Sequence, residues 1–145
     1  MSHKFVGGCE HVRTWADHDP IDNHICHFSV CKRVTGQPTI HVVFFKHDDL
    51  HATNENNMKR QPFNSENPDG TLEPCICKTC GAPIMLDDKQ HRIRVIVPNL
   101  MGYQSRGLEA SYHAFYDPKT GVPKPNDGRP VYEGLRPEFA WPAGS

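Results

Sequence analysis

Cys77 and Cys80, in the run Cys77-Lys78-Thr79-Cys80-Gly81, have the spacing with which a short turn brings two sulfurs onto one tetrahedral zinc ion. Gly81 suits the exit from such a knuckle, since a residue leaving a tight turn takes a positive φ that glycine adopts without penalty. Structural zinc takes four ligands, so a second pair must come from elsewhere in the chain. Cys9 and His11, a C-x-H pair that an extended chain would present on one face, are the strongest candidates. Cys75 would share a face with Cys77 in a strand, and it reads either as a further ligand or as a small buried hydrophobe. A second cluster, His24, Cys26, His27 and Cys31, brings thiols together with imidazoles, the side chains poised to exchange protons near pH 7.

These residues need strands to position them. Residues 3–15 read as a strand interrupted at Gly7-Gly8, and residues 17–23, which include Pro20, as a loop. Residues 24–36 read as a loop leading into a short helix. Residues 38–46 carry Ile40, Val42, Val43, Phe44 and Phe45, a β-branched and aromatic run that predicts a central strand. Asn56-Asn57 suggests a turn, residues 58–64 an edge strand limited by Pro62, and Asn67-Pro68-Asp69-Gly70 a turn built on proline and glycine. Residues 82–86 form the second arm of a hairpin closed by the knuckle. Residues 92–97 alternate as a half-buried strand should, with Ile93, Val95 and Val97 on one side. Residues 112–116 make a last short strand. Residues 117–145 are rich in proline and glycine, yet Tyr132, Leu135, Phe139 and Trp141 give them enough apolar surface to wrap the sheet rather than hang in water. No helical periodicity of a dozen residues appears, so the class is mostly β.

The length of 145 residues fits one domain. With 16 Lys and Arg against 17 Asp and Glu and no basic run, no footprint for nucleic acid or for a membrane surface is visible. No apolar run approaches a membrane span, and the first residues lack a signal-peptide core, which points to the cytoplasm. Six cysteines could pair as three disulfides in a secreted chain, but beside ten histidines in a reducing compartment they read as metal ligands.

Taken together, Gly7-x-Cys9-x-His11, then Cys26-His27 followed by Cys31-Lys32-Arg33-x-Thr35-Gly36, then Cys77-x-x-Cys80-Gly81-x-Pro83, His113-Ala114-Phe115-Tyr116 and Asp127-Gly128-Arg129-Pro130-Val131-Tyr132 resemble the glutathione-dependent formaldehyde-activating enzyme family, which includes centromere protein V. The resemblance implies a zinc-holding β-tent fold of small antiparallel sheets. It places Cys9, Cys77 and Cys80 on structural zinc ligands, with His11 where the family has cysteine; imidazole is a sound zinc ligand in that role. The family's second, catalytic zinc is held by three cysteines. Cys26 and Cys31 match the first and last, whereas Phe28, which has no ligand atom, stands at the middle position. The implied reaction adds the glutathione sulfur to formaldehyde, a carbon-sulfur lyase run in reverse, with glutathione as co-substrate.

Three functions follow from this pattern. One is a zinc-dependent lyase resembling S-(hydroxymethyl)glutathione synthase, acting on a small thiol adduct or carbonyl, with Cys26, His27 and Cys31 as catalytic residues. Lys32 and Arg33 then either meet glutathione carboxylates or form a solvated basic pair. Another is a diverged enzyme keeping only the structural zinc and using His24, His27 or Cys31 on another small molecule. The third is a zinc-stabilised binding module without enzymic activity. A homodimer is compatible with each.

Overall fold

The structure is a computed structural model, and it describes residues 4–27, 39–60, 72–103, 108–120, 123–140 and 142. Ten strands follow in order: β1 (Phe5–Gly8), β2 (Arg13–Ala16), β3 (Asp22–Cys26), β4 (Ile40–Lys46), β5 (Leu50–Ala52), β6 (Met58–Arg60), β7 (Leu72–Cys77), β8 (Pro83–Asp88), β9 (Ile93–Ile96) and β10 (Tyr112–Ala114). Helical structure among the described residues is confined to three single turns, so the expectation of a mostly β chain built on small antiparallel sheets holds. None of it is long and apolar enough to cross a membrane.

The strands divide into a three-stranded sheet, β1-β2-β5, and a seven-stranded sheet, β10-β3-β4-β9-β8-β7-β6. All neighbours are antiparallel except β10 and β3, which run parallel with Tyr112 opposite His24 and Ala114 opposite Cys26. The single turn His47–Asp49 carries the chain from β4 into β5, and thus from the large sheet to the small one. Side chains from both sheets, among them Phe45, Leu50, Ile84, Ile93 and Ile96, form one buried core together with Val12 of the β1-β2 turn. The Phe5 and Phe45 rings meet across it with centroids 6.0 Å apart.

The predicted central strand is β4, flanked by β3 and β9, and the predicted edge strand begins as β6. The knuckle hairpin is β7-β8, with a register shift at Cys75/Ile76. Four expectations need correction. Residues 3–15 are not one strand but the β1-β2 hairpin, with Cys9 and His11 in its turn rather than on an extended stretch. Asp22 and Asn23 belong to a strand, and residues 24–26 continue it instead of looping toward a helix, because Asp22, His24 and Cys26 point into the protein as buried polar groups that satisfy one another. Such inward polar residues invert the usual apolar alternation. Finally, β9 is buried on both faces: Ile93, Val95 and Ile96 join the core, and Arg94, itself buried, donates to Leu50 O at 2.9 Å and reaches the exposed Glu55 with its tip. The turn expected at residues 67–70, the part of the edge strand beyond Arg60, and Trp141 lie outside the described residues.

Some of the described residues after 123 pair with β10 or pack on the core. The His113 amide donates to Pro130 O at 2.9 Å, the Tyr132 amide donates to His113 O at 2.9 Å, and His113 bridges to Val131 in parallel register. Leu135 and Phe139 pack on the core. Arg136 Nε donates to the buried Asp22 at 2.7 Å.

Candidate functional site

The first site grows from two turns. Gly8 takes φ 89°, and the Cys9 amide donates to Val12 O at 2.9 Å, so the β1-β2 turn curls tightly around Cys9 and His11. The β7-β8 turn does the same for Cys77 and Cys80: the Gly81 amide donates to Cys77 O and the Cys77 amide to Ala82 O, each at 2.9 Å, with Gly81 at φ 76°. Together they bring one ligand atom from each of Cys9, His11, Cys77 and Cys80 within 4.8 Å of the others. A tetrahedral ion with sulfur bonds of about 2.3 Å holds its sulfurs about 3.8 Å apart, so this set can close on a single ion.

Two observations test the fit of a metal. His11 Nδ1 is buried and has no hydrogen-bond partner, which leaves a lone pair aimed at nothing in the protein. The Cys77 thiol is brought down to about 6, first by the backbone amide of Cys80, with Thr79 and the neighbouring thiols adding to it against the effect of burial. Cys80 is raised, although the Ala82 amide pulls the other way, because burial and the sulfurs of Cys9 and Cys77 oppose a further negative charge. A cation relieves that crowding. The surrounding donors also point at sulfur: the Val12 amide lies 3.4 Å from Cys9 Sγ and Asn57 Nδ2 lies 3.7 Å from Cys77 Sγ. The four residues therefore fit a metal ion. Cys75 is outside this set; it is fully buried, and its thiol is pushed up to about 11 by burial, which marks it as a packing residue.

A second group lies at the β10-β3 end of the large sheet. Strand alternation separates Cys26 from His27. Cys26 is buried with His24 and Asp22; His24 Nδ1 donates to Asp22 at 2.8 Å, and the His24 side chain also bonds the Cys26 thiol. Asp22 also accepts from Tyr112 at 2.5 Å and from Arg136. Burial disfavours charge on both groups, but these bonds prevail: Asp22 is held below the ordinary carboxylate range and His24 above the ordinary imidazole value.

His27 points to the opposite face and is only half-buried. Its Nε2 lies 3.0 Å from His113 Nδ1, and His113 Nε2 lies 2.8 Å from the carboxylate of Asp127. Arg129 donates to the same carboxylate oxygen at 2.8 Å and to Ala110 O at 2.8 Å. Burial, and then the proximity of His113, lowers the His27 pKa, so the ring is neutral at pH 7 and able to accept a proton. His41, bonded to Asn23, shares this face and is lowered by burial as well. Of the residues expected from sequence, Cys26 and His27 thus sit on two faces of one strand end, and Phe28, Cys31, Lys32 and Arg33 lie outside the described residues. Reading the sequence did not bring forward His113, Asp127, Asp22 or Tyr112 as site residues. The motifs holding His113 and Asp127 were visible, but not that they meet.

A family model described as glutathione-dependent formaldehyde-activating enzyme matches residues 6–117. Comparison with curated proteins gave no match. The matched span contains all four residues that could hold a metal ion, both Cys26 and His27, and His113; Asp127 and Arg129 lie beyond it.

Proposed function

The chain belongs to the glutathione-dependent formaldehyde-activating enzyme family, and from that premise we propose that it catalyses the reversible joining of a small thiol, glutathione first among candidates, to an aldehyde. The observation that carries this reading is the His27 imidazole, half-exposed, neutral and backed by His113 at 3.0 Å. Addition of a thiol to a carbonyl needs a base for the S–H proton and an acid for the developing alkoxide, and one imidazole can serve as both in turn. His27 takes the proton as sulfur attacks the carbonyl carbon. The C–S bond forms while the carbonyl π pair moves to oxygen, and the same proton passes from His27 to that oxygen. The product is the hydroxyalkyl thioether, and the reverse sequence is the lyase reaction.

Cys9, His11, Cys77 and Cys80 would hold zinc as a structural ion, for which three thiolates and an imidazole are an ordinary ligand set. Held there, the ion would tie the two turns together, and the proton transfers belong to the chain's own residues. Cys26, clasped by His24 beneath the strand, sets the course of the chain into His27. Cys31, from the same family motif, completes the reaction residues proposed here.

The test is the rate of adduct formation from isotopically labelled formaldehyde and glutathione, followed by NMR against the spontaneous rate. The wild-type chain is expected to exceed the spontaneous rate, and His27→Asn to lose about 100-fold or more of the excess. A wild-type rate equal to the spontaneous one would overturn the reading.

A further inference from the structure

The hydrogen bonds around His27 have a direction, and the direction begins outside the span that the family model covers. Asp127 lies beyond residue 117, where that match ends. It is anchored from its own loop, since the Arg129 amide donates to Oδ1 at 3.0 Å and Arg129 Nη1 to Oδ2 at 2.8 Å. The loop in turn is fixed to β10 on both sides of His113, through Pro130 O and the Tyr132 amide. Asp127 is held well below the ordinary carboxylate range, chiefly by the bond from His113 and then by the Arg129 amide, so it is ionised at neutral pH and can only accept.

An ionised carboxylate 2.8 Å from His113 Nε2 requires a proton on that nitrogen. In the state of the pair in which both rings are neutral, the one that can take up a proton, the lone pair of His113 is on Nδ1. That lone pair, 3.0 Å from His27 Nε2, requires the proton of His27 to sit on Nε2. The lone pair of neutral His27 is left on Nδ1. We infer that Asp127 is a positioning residue for His27: acting through His113, it fixes the tautomers of both imidazoles so that Nδ1 of His27 is the atom offered to the substrate thiol. The inference rests on the reading of His27 as the proton acceptor, and it makes the segment after residue 117 part of the reaction site.

The experiment uses the full chain with 15N-labelled histidine. Two-bond 1H–15N spectra report which ring nitrogen carries the proton, and the thiol–formaldehyde assay is run on the same samples. In the wild type, His113 and His27 are each expected to be protonated on Nε2. In Asp127→Ala, both rings should become tautomer mixtures, and kcat should fall about 10- to 100-fold with KM little changed. Asp127→Glu should recover part of both signals. Arg129→Gln, which loosens the carboxylate without removing it, should shift the tautomers the same way to a smaller extent and serves where Asp127→Ala is poorly folded. Tautomers in Asp127→Ala identical to the wild type would overturn the inference, as would a loss confined to KM. Tautomers that shift in a protein whose wild type shows no catalysed rate would support the positioning role and overturn the substrate reading, so the two failures are distinguishable.

Discussion

Asp22 and His24 show how a buried polar pair can be both a structural clasp and a source of pH dependence. Asp22 is depressed by the bonds from His24, Tyr112 and Arg136, so its contribution to stability is fully present above the ordinary value of 3.8 and is lost as pH falls through its lower folded value. His24 is raised, so its contribution is present below the ordinary value of 6.5 and fades as pH rises through its higher folded value. Melting temperature is therefore expected to decline on the acid side below about pH 4 and on the alkaline side above about pH 6.5. Asp22→Asn should flatten the acid limb and His24→Gln the alkaline one; limbs unchanged in both variants would remove the clasp from the account. At this scale the sequence was half legible. Cys9, His11, Cys77 and Cys80 could be picked out because each pair is local, and two local pairs meeting on one ion is a simple geometric demand. The Asp22-His24-Cys26 face was hidden because its polar residues point inward, so the alternation that normally signals a buried face was carried by the wrong chemical type.

At the scale of elements, the β1-β2 turn presents Cys9 and His11, half of the set that could hold a metal ion. Gly8 sits at φ 89°, where a side chain is strained by about 1–2 kcal/mol, and a Cβ there would collide with Val12 O. Gly102 approaches from outside, where a Cβ would lie 2.6 Å from Gly8 O. Gly8→Ala is thus expected to displace Cys9 and His11, lowering metal affinity more than it lowers the stability of the metal-free chain. Competition with a chromophoric chelator, read beside melting of the stripped protein, measures both; equal affinity in the variant would show that the turn tolerates the change. The hairpins themselves were legible from Gly7-Gly8 and from the knuckle. The parallel pairing of β10 with β3 was not, because it joins residues about ninety positions apart, and no local signal states which strands will adjoin. His113 and Asp127 escaped notice for the same reason: each lay in a visible motif, and only tertiary docking makes them partners.

For the whole molecule, an ion held by Cys9, His11, Cys77 and Cys80 would fasten the small sheet to the large one, since the first two residues come from the β1-β2 turn and the last two from the β7-β8 turn. Binding free energy at such a site counts toward folding. Cys77→Ser is expected to bind less than one ion per chain and to melt about 10 °C lower or more. Elemental analysis and calorimetry check this together, and an unchanged melting point with full metal content would contradict it. The fastening at the two turns and the bonding of Asp127 to His113 draw on different lengths of chain. A chain cut before residue 127 keeps both turns, and with them the four residues that would take up an ion, but it loses Asp127 together with the packing of Leu135, Phe139 and Arg136 on the core and on Asp22. Metal uptake is therefore expected to outlast the full catalytic rate in a chain shortened at that point.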